Sequence, residues 1–124
     1  MARVTGIGGV FLKAADPEAL AKWYEQHLGI QFAEGGYAQL KWSDDPHADE
    51  GSTVFAMFPR DSDYFGTDRP FMVNFRVDDL DALLAALRAV GAAVGEKVQE
   101  EGYGRFGWVT DPEGNRVELW QPPG

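Results

Sequence analysis

Apolar positions along the chain switch between two periods, and they switch twice in the same order. Val10, Leu12 and Ala14 alternate with Gly9, Phe11 and Lys13, the period of a half-buried strand. From Asp16 the spacing changes to that of a helix, with Ala19, Leu20, Trp23, Tyr24 and Leu28 on one stripe. Asp16 suits the N-cap, Pro17 the first helical position and Gly29 the stop. Alternation then returns, predicting strands over 30–33, 37–43 and 53–58. A second round follows: Val73, Phe75 and Val77 alternate with Met72, Asn74 and Arg76, and a helix opens at Asp79. That helix carries Leu83, Leu84, Leu87 and Val90 on one face and stops at Gly91, and strands are predicted over 96–100, 106–110 and 115–120.

The two rounds superimpose at an offset of 63 residues, which sets Val10 on Val73, Asp16 on Asp79, Leu20 on Leu83, and VFAMFP (54–59) on VELWQP (117–122). Each half reads strand, helix, strand, strand, strand. The repeats run from about 4 to 60 and from about 70 to 122 within one domain of 1–124. The expected class is therefore α+β: two βαβββ repeats whose helices cover one face of the sheets, leaving the other as a cleft or to solvent. If Trp42 packs under the first helix, Tyr37, Gln39 and Lys41 point to that second face.

Composition narrows the chemistry. With 124 residues, 44% of them hydrophobic, the chain can bury a core without staples, and the absence of cysteine removes disulfides, thiolate metal sites and thiol nucleophiles. A net charge of −9 from 11 basic and 20 acidic residues opposes a phosphate-tracking surface, so no nucleic-acid partner is expected. No stretch has the length and apolarity of a membrane span, and the first residues lack the plan of a secretory signal. A cytoplasmic protein with no membrane partner is the expectation.

VFLKAADPEALAKWYEQHLGI, FRVDDLDALLAAL and GRFGWVTDPEGNRVELWQP together resemble the vicinal oxygen chelate superfamily, which includes glyoxalase I, extradiol dioxygenases and bleomycin-resistance proteins. The resemblance spans nearly the whole chain. It implies sheets that form a cup with the helices outside, a homodimer, and a small-molecule ligand in the cup. It also implies a divalent metal held by inward residues on the first and last strand of each half. Those positions are here Gly9, Phe55, Met72 and Glu118, and only Glu118 has ligating chemistry. No resident metal or other cofactor is therefore expected, beyond a loosely held divalent ion.

Two functions stay open: a binding module of bleomycin-resistance type, or a lyase, isomerase or dioxygenase acting on a small polar or aromatic substrate through Glu118 as base or metal ligand. Glu118 is the candidate catalytic residue; an ion pair with Arg76 or Arg105 is its structural alternative. Candidate ligand contacts are Phe11, Tyr37, Gln39, Phe55, Met57, Met72, Asn74, Arg76 and Trp120 on the inward face. Arg105 and Trp108 join them at the glycine-rich bend, where a guanidinium suits an anion and an indole a planar group. Lys13, Lys41, Arg76 and Arg116 on that face favour an anionic or neutral polar ligand. His27 reads as a cap to the first helix's dipole, and His47 as part of a solvated acidic loop. DPEGN (111–115) reads as hairpin chemistry, and GIGGV (6–10) lacks the context of a nucleotide loop.

Overall fold

A computed structural model describes residues 2–66 and 68–124. Two helices lie where the capping signals set them. Helix α1 spans Pro17–Leu28, its N-cap Asp16 accepting from the Ala19 backbone N–H, and Gly29 closes it in the left-handed conformation (φ 72°) that only glycine adopts without strain. Helix α2 spans Leu80–Ala89, with Asp79 accepting from the Ala82 N–H.

Strands β1 (Phe32–Ala33) and β2 (Tyr37–Ala38) form a minimal antiparallel pair. The remaining strands build one five-stranded sheet: β3 (Val73–Arg76), β4 (Ala93–Val94), β5 (Gln99–Glu101), β6 (Gly104–Thr110) and β7 (Arg116–Gln121). Its order is β3-β7-β6-β4, with β5 also on β6. β3 runs parallel to β7, so α2 is the connection that carries the chain across the sheet face. The class is α+β, and the sheets do not close into a barrel.

The core lies between this sheet and both helices. Leu80, Leu84 and Leu87 of α2 pack with Val109, Val117 and Leu119 of β6 and β7, and α1 adds Leu20 and Tyr24 to the same cluster. Gly107 lets α2 approach: a Cβ there would lie 2.9 Å from Leu84 Cδ1. Two polar ties fix α1. The Tyr24 hydroxyl donates to buried Asp111 (2.8 Å), and the Ala15 and Asp16 backbone N–H groups donate to the Glu113 carboxylate (3.0 and 3.1 Å). Asp111 also accepts from the Glu113 and Asn115 N–H groups and the Asn115 side chain, so DPEGN is the predicted hairpin turn.

The first repeat departs from expectation. Residues 10–14 and 53–58 have the alternation of strands yet join no ladder among the described residues, and 37–43 gives only β2 before a 3₁₀ turn over Trp42–Asp44. The 30–33 strand shrinks to β1, the 96–100 strand forms instead as β5, and β4 was not foreseen. Alternation shows that a chain can be half-buried; a ladder also needs a neighbouring backbone to pair with, and among the described residues these segments find none. Trp42, expected beneath α1, is 83% exposed, because α1 seats itself on the core of the second repeat.

Candidate functional site

The sheet face opposite the helices carries the polar side chains. Strand register sets Asn74 of β3, Glu118 of β7 and Trp108 of β6 side by side in one row, with Gly95 beyond β4 ending it. The adjacent row is Arg116, Thr110 and Ala93.

Glu118 is 7% exposed and its carboxylate is held by three neutral donors. Oε1 accepts from Asn74 Nδ2 (2.7 Å); Oε2 accepts from Trp108 Nε1 (2.9 Å) and from the Tyr64 hydroxyl (2.8 Å). A carboxylate offers about four lone-pair sites, so three of them are occupied by the protein. The ion pair expected as the alternative is absent among the described residues: Arg76 and Arg105 are both engaged elsewhere.

Tyr64 descends from the segment between the repeats. Its ring stacks on Phe58 (5.4 Å between centroids) and meets Trp108 edge-on (6.1 Å). Burial first, then its hydrogen bond to the Glu118 carboxylate, raises the Tyr64 hydroxyl well above the ordinary phenolic range, so it remains a donor. Above Trp108 lies the Arg116 guanidinium, with Cζ 5.5 Å from the ring centroid.

Arg76 lies on the same face but is neutralised by Asp45 (2.6 Å) and donates to the Ser52 carbonyl (3.0 Å). The backbone N–H of His47, followed by Arg76, holds the Asp45 carboxyl below its ordinary range. These contacts draw residues 45–52 toward Trp120 and leave a half-open depression of about 160 Å³ lined by His47, Glu50, Ser52, Arg76 and Trp120. His47 is half-buried at its edge, while Asp44, Asp49 and Glu50 stay exposed as expected of a solvated acidic loop. Trp120 donates to the Tyr103 carbonyl (2.9 Å) and stacks on Phe106. His27 lies in the last turn of α1 as expected, its ring against Trp23.

Of the residues expected at the site, the structure groups Glu118, Asn74 and Trp108, with Arg76 and Trp120 beside them and half-buried Met72 just before β3. Arg105 is corrected: it shares the helix-facing side of β6 with Gly107 and Val109, and its guanidinium bridges Asp81 (2.9 Å) and Glu100 (3.0 Å). Phe11, Tyr37, Gln39, Phe55 and Met57 are exposed on first-repeat segments that do not join the main sheet, so no register carries them to Glu118. Tyr64 was missed because it lies in an aperiodic, Asp-rich connection; its aromatic neighbour Phe65 in a polar stretch was the available signal.

A divalent metal does not fit these residues. At the four positions the superfamily uses, Glu118 is held by three donors, Phe55 and Met72 bring no hard ligand, and the side of Gly9 is taken by the Phe11 ring, 3.3 Å from where a Cβ would stand. Among the described residues, no three His, Cys, Asp or Glu side chains gather at one point. No described helix is long and apolar enough to cross a membrane.

Solved structures share this architecture. A glyoxylase/bleomycin resistance protein/dioxygenase domain from a Frankia species matches with a TM-score of 0.65 and 21% identity over 98% of this chain and 94% of that one. An antibiotic binding protein from a Streptomyces species matches with a TM-score of 0.60 and 22% identity, covering 99% and 100%. A lactoylglutathione lyase from Agrobacterium tumefaciens matches with a TM-score of 0.56 and 18% identity, covering 94% and 96%. No curated protein matches in sequence. The family model for the glyoxalase-like domain matches residues 9–120, and the chain therefore belongs to the glyoxalase-like domain family.

Proposed function

We propose that this chain is a metal-independent small-molecule-binding protein, with its ligand seated on the sheet face of Glu118, Asn74 and Trp108. The observation that carries the reading is the threefold hydrogen bonding of the Glu118 carboxylate. A metal ligand or general base needs accessible lone pairs. A carboxylate locked by Tyr64, Asn74 and Trp108 instead fixes the indole and the phenol as rigid walls of a seat. Binding of an antibiotic by a Streptomyces relative of the same fold agrees with such a use.

The second reading, a lyase or dioxygenase-type enzyme with Glu118 as base, draws on one feature: the Tyr64 hydroxyl donates to the buried carboxylate in an aromatic setting. The proposal also includes a second copy of the chain. Phe11 (85% exposed), Phe55 and Met57 (both 78%) lie on extended segments without a ladder, and apolar surface of that kind calls for a partner.

Thermal unfolding of the whole chain tests the reading, first with zinc, nickel or manganese chloride alone and then with a panel of planar aromatic compounds. A ligand that binds only the folded state stabilises it by about 2.7 kcal/mol at a hundred times its Kd. The midpoint is expected to rise with an aromatic compound and not with metal. A rise with metal alone, with the metal retained through dialysis, overturns metal independence and favours the enzyme.

A further inference from the structure

We propose that Tyr64 is a displaceable occupant of the seat at Glu118: the strap of residues 59–66 lifts its ring away, and a small phenol enters in its place. This rests on the reading of the preceding section that the face binds a small organic molecule, and it names the way in and the chemistry of the ligand.

In the closed arrangement nothing reaches this row. Glu118 and Trp108 are each 7% exposed, the Arg116 guanidinium lies over the indole, and the Tyr64 hydroxyl holds one carboxylate oxygen. A ligand enters only if one of the covering groups leaves. Asn74, Trp108 and Arg116 sit in the ladders of β3, β6 and β7, so the sheet fixes their backbones. Tyr64 belongs to none of the helices or strands.

The strap is bonded to itself. The Ser62 N–H donates to the Pro59 carbonyl (3.0 Å), the Tyr64 N–H to Ser62 Oγ (3.3 Å), and the Gly66 N–H to the Asp63 carbonyl (3.3 Å). Among the described residues its one hydrogen bond to the rest of the chain is that of the Tyr64 hydroxyl to Glu118. It adds no side chain to the hydrophobic core, and Asp61 and Asp63 are exposed. The bond that makes the phenol rigid is therefore also its only polar tie, and segments with so few buried contacts are the ones that open locally while the fold stays intact.

The space that Tyr64 vacates is shaped by what it holds. Phe58, just ahead of the strap, stacks on the ring at 5.4 Å between centroids, Trp108 meets it edge-on at 6.1 Å, and Glu118 accepts its hydroxyl at 2.8 Å. An entering ring must bring its own donor, because a buried carboxylate left one hydrogen bond short loses stabilisation. It must not be an anion, because a second negative charge beside Glu118 is repelled. A neutral phenol meets both conditions, as the tyrosine side chain does.

Isothermal titration of the whole chain with p-cresol, which is the tyrosine side chain as a free molecule, and with 4-methylanisole, the same ring without a donor, tests this. A tethered competitor that fills the seat in about nine-tenths of the molecules weakens the apparent affinity about tenfold. Tyr64→Ala removes the competitor and should bind p-cresol about tenfold more tightly than the parent chain, with no such gain for 4-methylanisole. Far-ultraviolet spectra show whether each variant folds. Should Tyr64→Ala not fold, Tyr64→Phe keeps the ring, gives up the bond to Glu118 and should also gain affinity for p-cresol. In the parent chain, saturating p-cresol should speed amide exchange over residues 62–66. An affinity for p-cresol that stays level or falls in the folded variant, or exchange that does not speed up, makes Tyr64 a fixed wall and overturns the displacement. Equal gains for the two compounds overturn the phenol. Absence of p-cresol binding in the parent and in Tyr64→Ala alike overturns the proposal as well, while a thermal shift with another aromatic compound keeps the small-molecule reading.

Discussion

The indole N–H of Trp108 donates to Glu118 across the directly opposed β6–β7 pair at 2.9 Å, so two buried side chains that a sequence separates by ten residues share one polar contact. Its partner atoms decide how substitutions at Glu118 should behave. Glutamine can keep an oxygen toward Trp108 and Tyr64 if the Asn74 amide turns to accept from its NH₂. Leucine strands the indole N–H of buried Trp108 and takes the acceptor from the Tyr64 hydroxyl, while the amide of exposed Asn74 turns to water. Glu118→Gln is expected to lose about 1 kcal/mol and Glu118→Leu about 1–3 kcal/mol for each donor left unsatisfied. Urea unfolding of both variants checks the order, and equal losses would show that hydrogen bonding is not what holds this row.

Tyr24 ties α1 to the hairpin turn through Asp111. Tyr24→Phe removes a buried bond to a carboxylate and should cost about 1.5–3 kcal/mol. Amide exchange should then speed up in α1 before it does in α2, whose seat on the sheet does not use this bond. Uniform acceleration across both helices counts against a separate tether.

Burial, and then a hydrogen bond to a neighbouring carboxylate, raises the hydroxyls of Tyr24 and Tyr64 above their ordinary value of 10.0 in the folded chain. The unfolded chain therefore releases these protons first as pH rises. Their contribution is complete below about pH 10 and declines above it, so stability should fall with increasing alkalinity. The decline should be shallower in Tyr24→Phe and in Tyr64→Phe, measured by chemical unfolding at a series of pH values. Identical slopes in the parent and both variants refute the assignment.

Arg105 serves as an internal control. Its guanidinium lies with Asp81 and Glu100 on the helix-facing side, so Arg105→Gln should leave affinity for any ligand of the opposite face unchanged. Titration of that variant beside the parent chain measures this, and a marked loss of affinity would reopen the question of which face is used.

Phe55→Lys places a charge on the apolar segment that we propose a second copy covers. Sedimentation equilibrium should show a dimer for the parent chain and a shift toward the single chain for the variant. A parent chain that is monomeric at micromolar concentration ends the proposal.

Helix positions, caps, the DPEGN turn and the inward-facing row of the second repeat were legible in the sequence, because each rests on neighbours a few residues apart. Asp16 and Asp79 cap within three residues, Gly29 supplies its own backbone freedom, and alternation along 73–76 and 116–121 assigns Asn74 and Glu118 to one face. What tertiary structure alone decided is whom each side chain meets. Arg105 and Trp108 are three residues apart on one strand, and strand parity sends them to opposite faces, the first to Asp81 and the second to Glu118. Tyr64 reaches Glu118 from 54 residues away through an aperiodic segment that no pattern could aim. The first repeat carries the same alternation as the second, and residues 54–58 still join no ladder among the described residues. Periodicity is a property of the segment; a ladder or a carboxylate held by three donors is a property of its neighbours.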